Sequence, residues 1–192
     1  MLKLCNKEKR VDAMNVWHDI SSKRITPESF IACIEISKGG KNKYELDKET
    51  GLLILDRVLY TATHYPTNYG FIPKTYAGDN DPLDVLVLCQ EVLTPLTLVK
   101  CYPIGVVKMV DDNMTDEKII AIPTRDPSMN GYHDISDIMP HIFDEISHFF
   151  EVYKTLERIE TTVTEILGRD SAVEIIEQSI KRYQEKFPDK NN

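Results

Sequence analysis

Between Phe30 and Pro123 the apolar residues come in short β-branched runs, and that pattern decides the fold class before anything else does. The runs read FIACIEIS, KYELD, LLILDRVLY, DVLVL, LVKCYPIGVVKMV and KIIAIP, with Gly, Asn, Asp and Pro between them. Segments this short, bounded by turn residues, predict strands of a sheet that curls or closes on itself. Glu49-Thr50-Gly51 predicts a hairpin turn between a strand at Tyr44 to Asp47 and another at Leu52 to Leu55. Beyond Pro123 the period changes. Ile138, Ile142, Phe143, Ile146, Phe149, Phe150 and Tyr153 recur at three and four, which lines one face of a helix, and Pro140 suits its first turn. A second helix is expected after Gly168, with Asp170 or Ser171 as N-cap and Val173, Ile176, Ile180 and Tyr183 as its apolar stripe. Strands first and helices afterwards make an α+β chain: a closed or highly curled antiparallel sheet with two C-terminal helices packed on it.

Residues 1–28 are polar, show no sustained period and end at Thr26-Pro27, so they predict an N-terminal extension in which Trp17 is the residue able to dock. Residues 29–192 are then expected to form one domain, and 192 residues in all are enough to bury a core. The formal net charge of -8 and the absence of a dense Lys/Arg run argue against nucleic acid as a partner, since phosphate backbones need a basic face. Cys5, Cys33, Cys89 and Cys101 are scattered without a C-x-x-C pair, which predicts small core thiols in a reducing cytoplasm and no disulfide framework. No apolar run is long enough to cross a bilayer and the N-terminus lacks the apolar core of a signal peptide, so no membrane partner is expected.

The chemistry is concentrated at Asp79-Asn80-Asp81-Pro82-Leu83-Asp84, three carboxylates at the lip of an apolar strand. Like charges this close need a compensating cation, solvent or a raised pKa. A solvated turn is the plain alternative, because Asp and Pro are default turn residues. An EF-hand loop is excluded: counted from Asp79, position six is Asp84 where glycine is required, and position twelve is Gln90 in place of glutamate. Mg²⁺ suits an open acidic rim better, since it keeps several waters and takes few carboxylates together with substrate phosphate oxygens. Glu35, Glu45, Asp111, Asp112, Asp116 and Glu117 lie in or beside strands of the same system. Interleaved with them are Lys43, Arg57, Tyr69, Lys118, Tyr153 and Lys154, which together offer the donors a phosphate anion needs.

The run from Asp79 to Val85 resembles the signature of the soluble family I inorganic pyrophosphatases, Asp-x-Asp-Pro-apolar-Asp-apolar. IEI with Glu35, KYE at Lys43 to Glu45, DR at Asp56-Arg57, YPTNYGFIP at Tyr65 to Pro73, GVVKMVDD at Gly105 to Asp112 and HFFEVYKTLE at His148 to Glu157 follow in family order. The resemblance covers about residues 30–160. One departure is Ser37, which stands where family members commonly have Pro, followed by Lys38-Gly39-Gly40-Lys41.

The resemblance implies a small OB-like β-barrel whose mouth is a cup holding several Mg²⁺ ions, with Mn²⁺ as a substitute. It implies Mg²⁺-dependent hydrolysis of pyrophosphate to two orthophosphates, which drives biosynthetic reactions that release pyrophosphate. By position, Asp79, Asp84 and Asp116 match ligands of the tighter metal site, and Asp111 and Asp116 match those for ions arriving with substrate, with Glu35 nearby. Asp81 matches the catalytic carboxylate that accepts a proton from the attacking water. Lys43, Arg57, Tyr69, Lys118, Tyr153 and Lys154 match phosphate-binding positions, and Glu45 an acid standing behind the ligands. Bacterial-type members of this length imply a homo-oligomer, with a hexamer favoured. Two rivals stay open: a hydrolase of nucleotides or polyphosphate, for which no Walker loop is present, and a non-catalytic cation-binding β-module, which would gain nothing from cations among its ligands.

Overall fold

The structure is a computed structural model that describes residues 14–112 and 114–190. Cys5 and the first half of the expected extension lie outside the described residues. The elements run α1 Val16–Asp19, β1 Phe30–Ile36, β2 Asn42–Leu46, β3 Leu53–Val58, β4 Asn68–Phe71, β5 Asp84–Val87, β6 Leu98–Asp111, β7 Met114–Pro123, α2 Pro140–Val152, β8 Thr161–Gly168 and α3 Arg169–Lys186.

The sheet order is β1-β4-β5-β7-β6-β8, and β1 also pairs with β6. That second pairing closes β1, β4, β5, β7 and β6 into a ring, the five-stranded OB-like barrel that the short runs and the resemblance lead one to expect. The expected antiparallel pattern holds except between β5 and β7, which run parallel with Asp84 beside Lys118. β6 is long enough, at 14 residues, to serve β1, β7 and β8 in turn. Its register shifts between Pro103 and Gly105, where a proline can sit without breaking a ladder. β2 and β3 form a separate hairpin, and Glu49-Thr50-Gly51 turns between them.

β1 is buried along its whole length because both of its faces are covered. Phe30, Ala32 and Ile34 join a core completed by Ala172, Ile175 and Ile176 of α3. Ile36 belongs to a second core, completed by Ile146, Phe149 and Phe150 of α2. Gly70 in β4 is required by the closeness of its neighbour: a Cβ there would lie 1.9 Å from the Cys33 carbonyl oxygen.

The helices differ from expectation at their starts. Ile138 precedes α2, which begins at Pro140 after the N-cap Met139. α3 begins earlier than Asp170 or Ser171 would allow, with Gly168 as N-cap and Asp170 inside the first turn, where its charge favours the helix dipole. β8 was not expected. Its residues alternate with exposed Thr and Glu, and pairing with β6 makes them a strand. Trp17 does dock, at 4% exposure, in a cluster with Cys33, Leu46, Phe71 and Tyr183.

Candidate active site

At the barrel mouth, four strands and a helix end direct polar side chains toward one hollow. In β7, Asp116 and Lys118 are two residues apart and therefore share a face of the sheet. Parallel register sets Lys118 beside Asp84, the first residue of β5, and antiparallel register sets Asp84 beside Phe71 of β4. Lys118 is 3% exposed; its Nζ donates to Asp84 Oδ2 at 2.7 Å, Asp116 Oδ2 at 2.8 Å and the Tyr69 hydroxyl at 3.2 Å. The Tyr69 hydroxyl in turn donates to Asp84. At the other side of the mouth, Asp111 closes β6, and its Oδ2 accepts from the Tyr153 hydroxyl at 3.0 Å and from the Lys154 ammonium.

The acidic loop between β4 and β5 is braced from within. The Thr75 hydroxyl donates to Ile72 O and accepts from Leu83 N at 2.8 Å, tying the loop's two ends together. Inside it Ala77 N donates to Asp81 O at 2.7 Å and Asp81 N to Asp79 Oδ1 at 3.1 Å. Asn80 between them adopts φ 72°, a conformation Asn tolerates well.

The β2–β3 hairpin forms a third wall. Lys43 faces Arg57 across it. Lys43 pairs with Glu45, and with Asp56 at 3.1 Å; Arg57 pairs with Asp56, and with Glu157 at 3.0 Å. Glu35 of β1 accepts from Leu46 N at 2.8 Å and so ties the hairpin to the barrel. The loop containing Ser37, where the sequence departs from the family pattern, is also tied down: Ser37 Oγ donates to Leu93 O at 2.7 Å and Gly39 N to Tyr65 O at 2.9 Å.

Burial sets the electrostatics. It pushes the Glu35 carboxyl up to about 8, with the Asp84 charge adding to the effect. Burial also raises Asp84, to about 6, although the Lys118 ammonium pulls the other way. Asp79 is raised for the same first reason. Burial works against the Lys118 ammonium, but Asp116 and Asp84 outweigh it and hold the group well above its ordinary range. Lys43 follows the same logic, with Glu45 and Asp56 overcoming burial.

The hollow has a volume of about 230 Å³. Asp79, Asp81, Asp84, Asp111, Asp116, Glu35, Glu45, Lys43, Tyr69, Lys118, Tyr153 and Lys154 all line it. Arg57 does not; it stands behind Lys43 in the hairpin, engaged with Asp56 and Glu157. Among the described residues no three of the acids converge as a ready-made chelate. Separated carboxylates of this kind fit Mg²⁺ better than Ca²⁺, because Mg²⁺ takes one or two of them and completes its shell with water and phosphate oxygens. The second oxygen of Asp111 is buried without a hydrogen-bond partner among the described residues, an acceptor that a cation would satisfy.

Wall or supporting residues that the sequence reading gave no site role include Trp17, Lys48, Tyr65 and Glu157. Glu157 sits at the end of a motif already noted and could have been paired with Arg57. Trp17 was read only as a residue able to dock and Tyr65 only as the start of the Tyr65 to Pro73 run, while Lys48 carries no local signal, since it contributes through a contact distant in sequence.

Residues 32–184 match the family model described as inorganic pyrophosphatase. The chain is 46% identical over 179 residues to soluble inorganic pyrophosphatase 2 of Chlamydomonas reinhardtii, covering 93% of both chains. It is 44% identical to soluble inorganic pyrophosphatase 1 of Arabidopsis thaliana over 182 residues, 95% of this chain and 86% of the relative. Among solved structures, the inorganic pyrophosphatase of Helicobacter pylori is 43% identical with a TM-score of 0.80, over 89% of this chain and 98% of that one. That of Thermus thermophilus is 38% identical with a TM-score of 0.81, over 90% and 98%.

Proposed function

The chain belongs to the inorganic pyrophosphatase family, and from that premise we propose how its cup carries out the reaction and which residues do so. The enzyme hydrolyses inorganic pyrophosphate to two orthophosphates. The observation that carries the residue assignment is the convergence of acids, lysines and tyrosines from six strands, the β4–β5 loop and the end of α2 on one hollow of about 230 Å³.

Asp79, Asp84, Asp111 and Asp116, with Glu35 beside them, would hold divalent ions. Ions held there would offset the charge on the phosphates and lower the pKa of the attacking water. Mg²⁺ is the proposed ion, with Mn²⁺ able to replace it because both accept octahedral oxygen shells. Asp81 is the general base: its carboxylate takes the proton as the water oxygen bonds to phosphorus. The P–O bond to the second phosphate breaks, and that phosphate leaves with the bonding electron pair. Lys43, Lys118, Tyr69, Tyr153 and Lys154 hold phosphate oxygens; Arg57, outside the hollow, would join them only by leaving its pairs with Asp56 and Glu157. Glu45 keeps Lys43 oriented. Phosphoryl transfer needs positioning and charge neutralisation more than covalent catalysis, which suits a site with no nucleophilic side chain.

Asp81→Asn tests the central role. It keeps the size and hydrogen bonding of the side chain, so the fold should stand while turnover falls by roughly 100-fold or more, as loss of a general base does. Turnover near that of the unaltered enzyme, measured by orthophosphate release, would remove Asp81 from the role.

Self-association, as a hexamer, is part of the proposal by likeness to bacterial-type members. A largely apolar hollow beside α2, lined by Phe149, Ile142, Met129 and His148, supports it as a face suited to cover. A cytoplasmic location is proposed from the free thiols Cys33, Cys89 and Cys101. No helix among the described residues is long and apolar enough to cross a membrane.

A further inference from the structure

The N-terminal arm, to which the sequence assigns no function, reaches the rim of the cup. Trp17 of α1 lies in the wall of the same hollow as Asp81. Its indole N–H donates to Thr75 O at 2.9 Å, and Thr75 is the residue whose hydroxyl ties the two ends of the acidic loop together. Behind it the ring is held by His18, stacked at 4.6 Å, and by the edge of Phe187 at 5.4 Å. In front of it stands Lys48 from the β2–β3 turn, with Nζ 5.6 Å from the indole centroid. The arm also grips the other end of Lys48, because Asn15 Nδ2 donates to Lys48 O at 3.0 Å. The two segments meet backbone to backbone: Gly51 sits at φ 72°, and a Cβ there would lie 2.5 Å from Met14 O.

Held in this way, the Lys48 ammonium pairs with the carboxylate of Asp81. We propose that Lys48, seated on Trp17 by the arm, is a positioning residue that orients the Asp81 carboxylate toward the reacting water. The proposal rests on the reading of Asp81 as general base. Both side chains of the pair are about half exposed, 53% and 51%, so the pair adds little to stability. An exposed lysine normally gives up much rotamer freedom to hold one geometry. Here the Asn15 hydrogen bond holds the Lys48 backbone and the indole face supports its ammonium, so the pair supplies direction to a carboxylate on a surface loop. The arm thereby joins the acidic loop, through Thr75, to the hairpin that carries Lys43 and Arg57.

The test compares Lys48→Met, Lys48→Arg and Trp17→Phe with Asp81→Asn, on the full chain with Mg²⁺ and pyrophosphate. Lys48→Met should lower kcat about tenfold, below the ~100-fold that a 1 Å misplacement can cost, while KM stays within about twofold. Lys48→Arg should restore most of the loss. Trp17→Phe should lower kcat in the same direction and add little to Lys48→Met, since both act through one contact. Mg²⁺ affinity of Lys48→Met, by calorimetry, should be unchanged, and its melting temperature should move by no more than ~4 °C. Lys48→Gln, a second neutral variant with a shorter stem, should behave as Lys48→Met does. Unaltered kcat in both neutral variants while Asp81→Asn is inactive would overturn the positioning role and leave Asp81 in place. A raised KM with kcat retained would also overturn it, because Lys48 would then be binding substrate. An active Asp81→Asn enzyme would instead bring down the reading on which the proposal rests.

Discussion

Glu35 illustrates how a single residue links strand, hairpin and site. It is 7% exposed, accepts from the Leu46 backbone and lies in the wall of the cup. Burial pushes its carboxyl up to about 8, from 4.5. The folded chain therefore binds a proton that the unfolded chain has released across that interval, so the contribution of Glu35 is intact below about 4.5 and is lost as pH rises through about 8. In chelator, thermal unfolding should show the unaltered protein falling several degrees against Glu35→Gln between those limits. Parallel curves for the two proteins would mean that Glu35 is not held in its neutral form. At this scale the sequence exposed the acids well, because Asp-x-Asp-Pro-apolar-Asp crowds like charges at a strand start for no packing reason. It was silent on Lys48 and Glu157. A lysine after a strand and a glutamate after a helix look like solvated surface until the fold brings Asp81 to one and Arg57 to the other.

Among the elements, those with a long regular period were legible and those fixed by tertiary pairing were not. α2 was read from its three-and-four spacing, and β1, β5, β6 and β7 of the barrel from their β-branched runs; β4, Asn68–Phe71, was not read as a strand, because NYGF has no such run. β8 was missed because its half-exposed residues become a strand only against the far half of β6. The start of α3 was misplaced because the chain passes straight from β8 into the helix at Gly168, leaving Asp170 and Ser171 inside it. The parallel contact between β5 and β7 was equally hidden, yet it is the contact that sets Asp84 beside Lys118. The closeness of β4 to β1 gives a prediction at this scale. Gly70→Ala would set a methyl group 1.9 Å from the Cys33 carbonyl oxygen, so backbone must shift. Destabilisation of about 1–3 kcal/mol is expected, of the size that overpacking costs, read from urea unfolding. Stability equal to that of the unaltered protein would show that the two strands are not held so close.

For the whole molecule, the barrel provides rigid walls, the hairpin and the arm form its rim, and α2 brings Tyr153 and Lys154 to the mouth. Composition alone spoke for a globular chain with a net charge of -8, which is an unpromising carrier for a polyanion. On the proposed reading the cup would resolve this by gathering lysines locally and leaving its acids to cations, so that overall charge and local charge need not agree. Assembly belongs to this scale too. Light scattering should give a mass about six times the 22.1 kDa chain, and a monomeric mass at working concentrations would contradict the proposed hexamer. The most direct test of the account is orthophosphate release by the purified protein from pyrophosphate, run with Mg²⁺, with Ca²⁺ and with chelator, beside ATP as a control substrate. Rapid release from pyrophosphate with Mg²⁺, little with Ca²⁺, none in chelator and little from ATP is the predicted result. Equal rates from ATP, or release that persists in chelator, would contradict a divalent-ion site built for pyrophosphate.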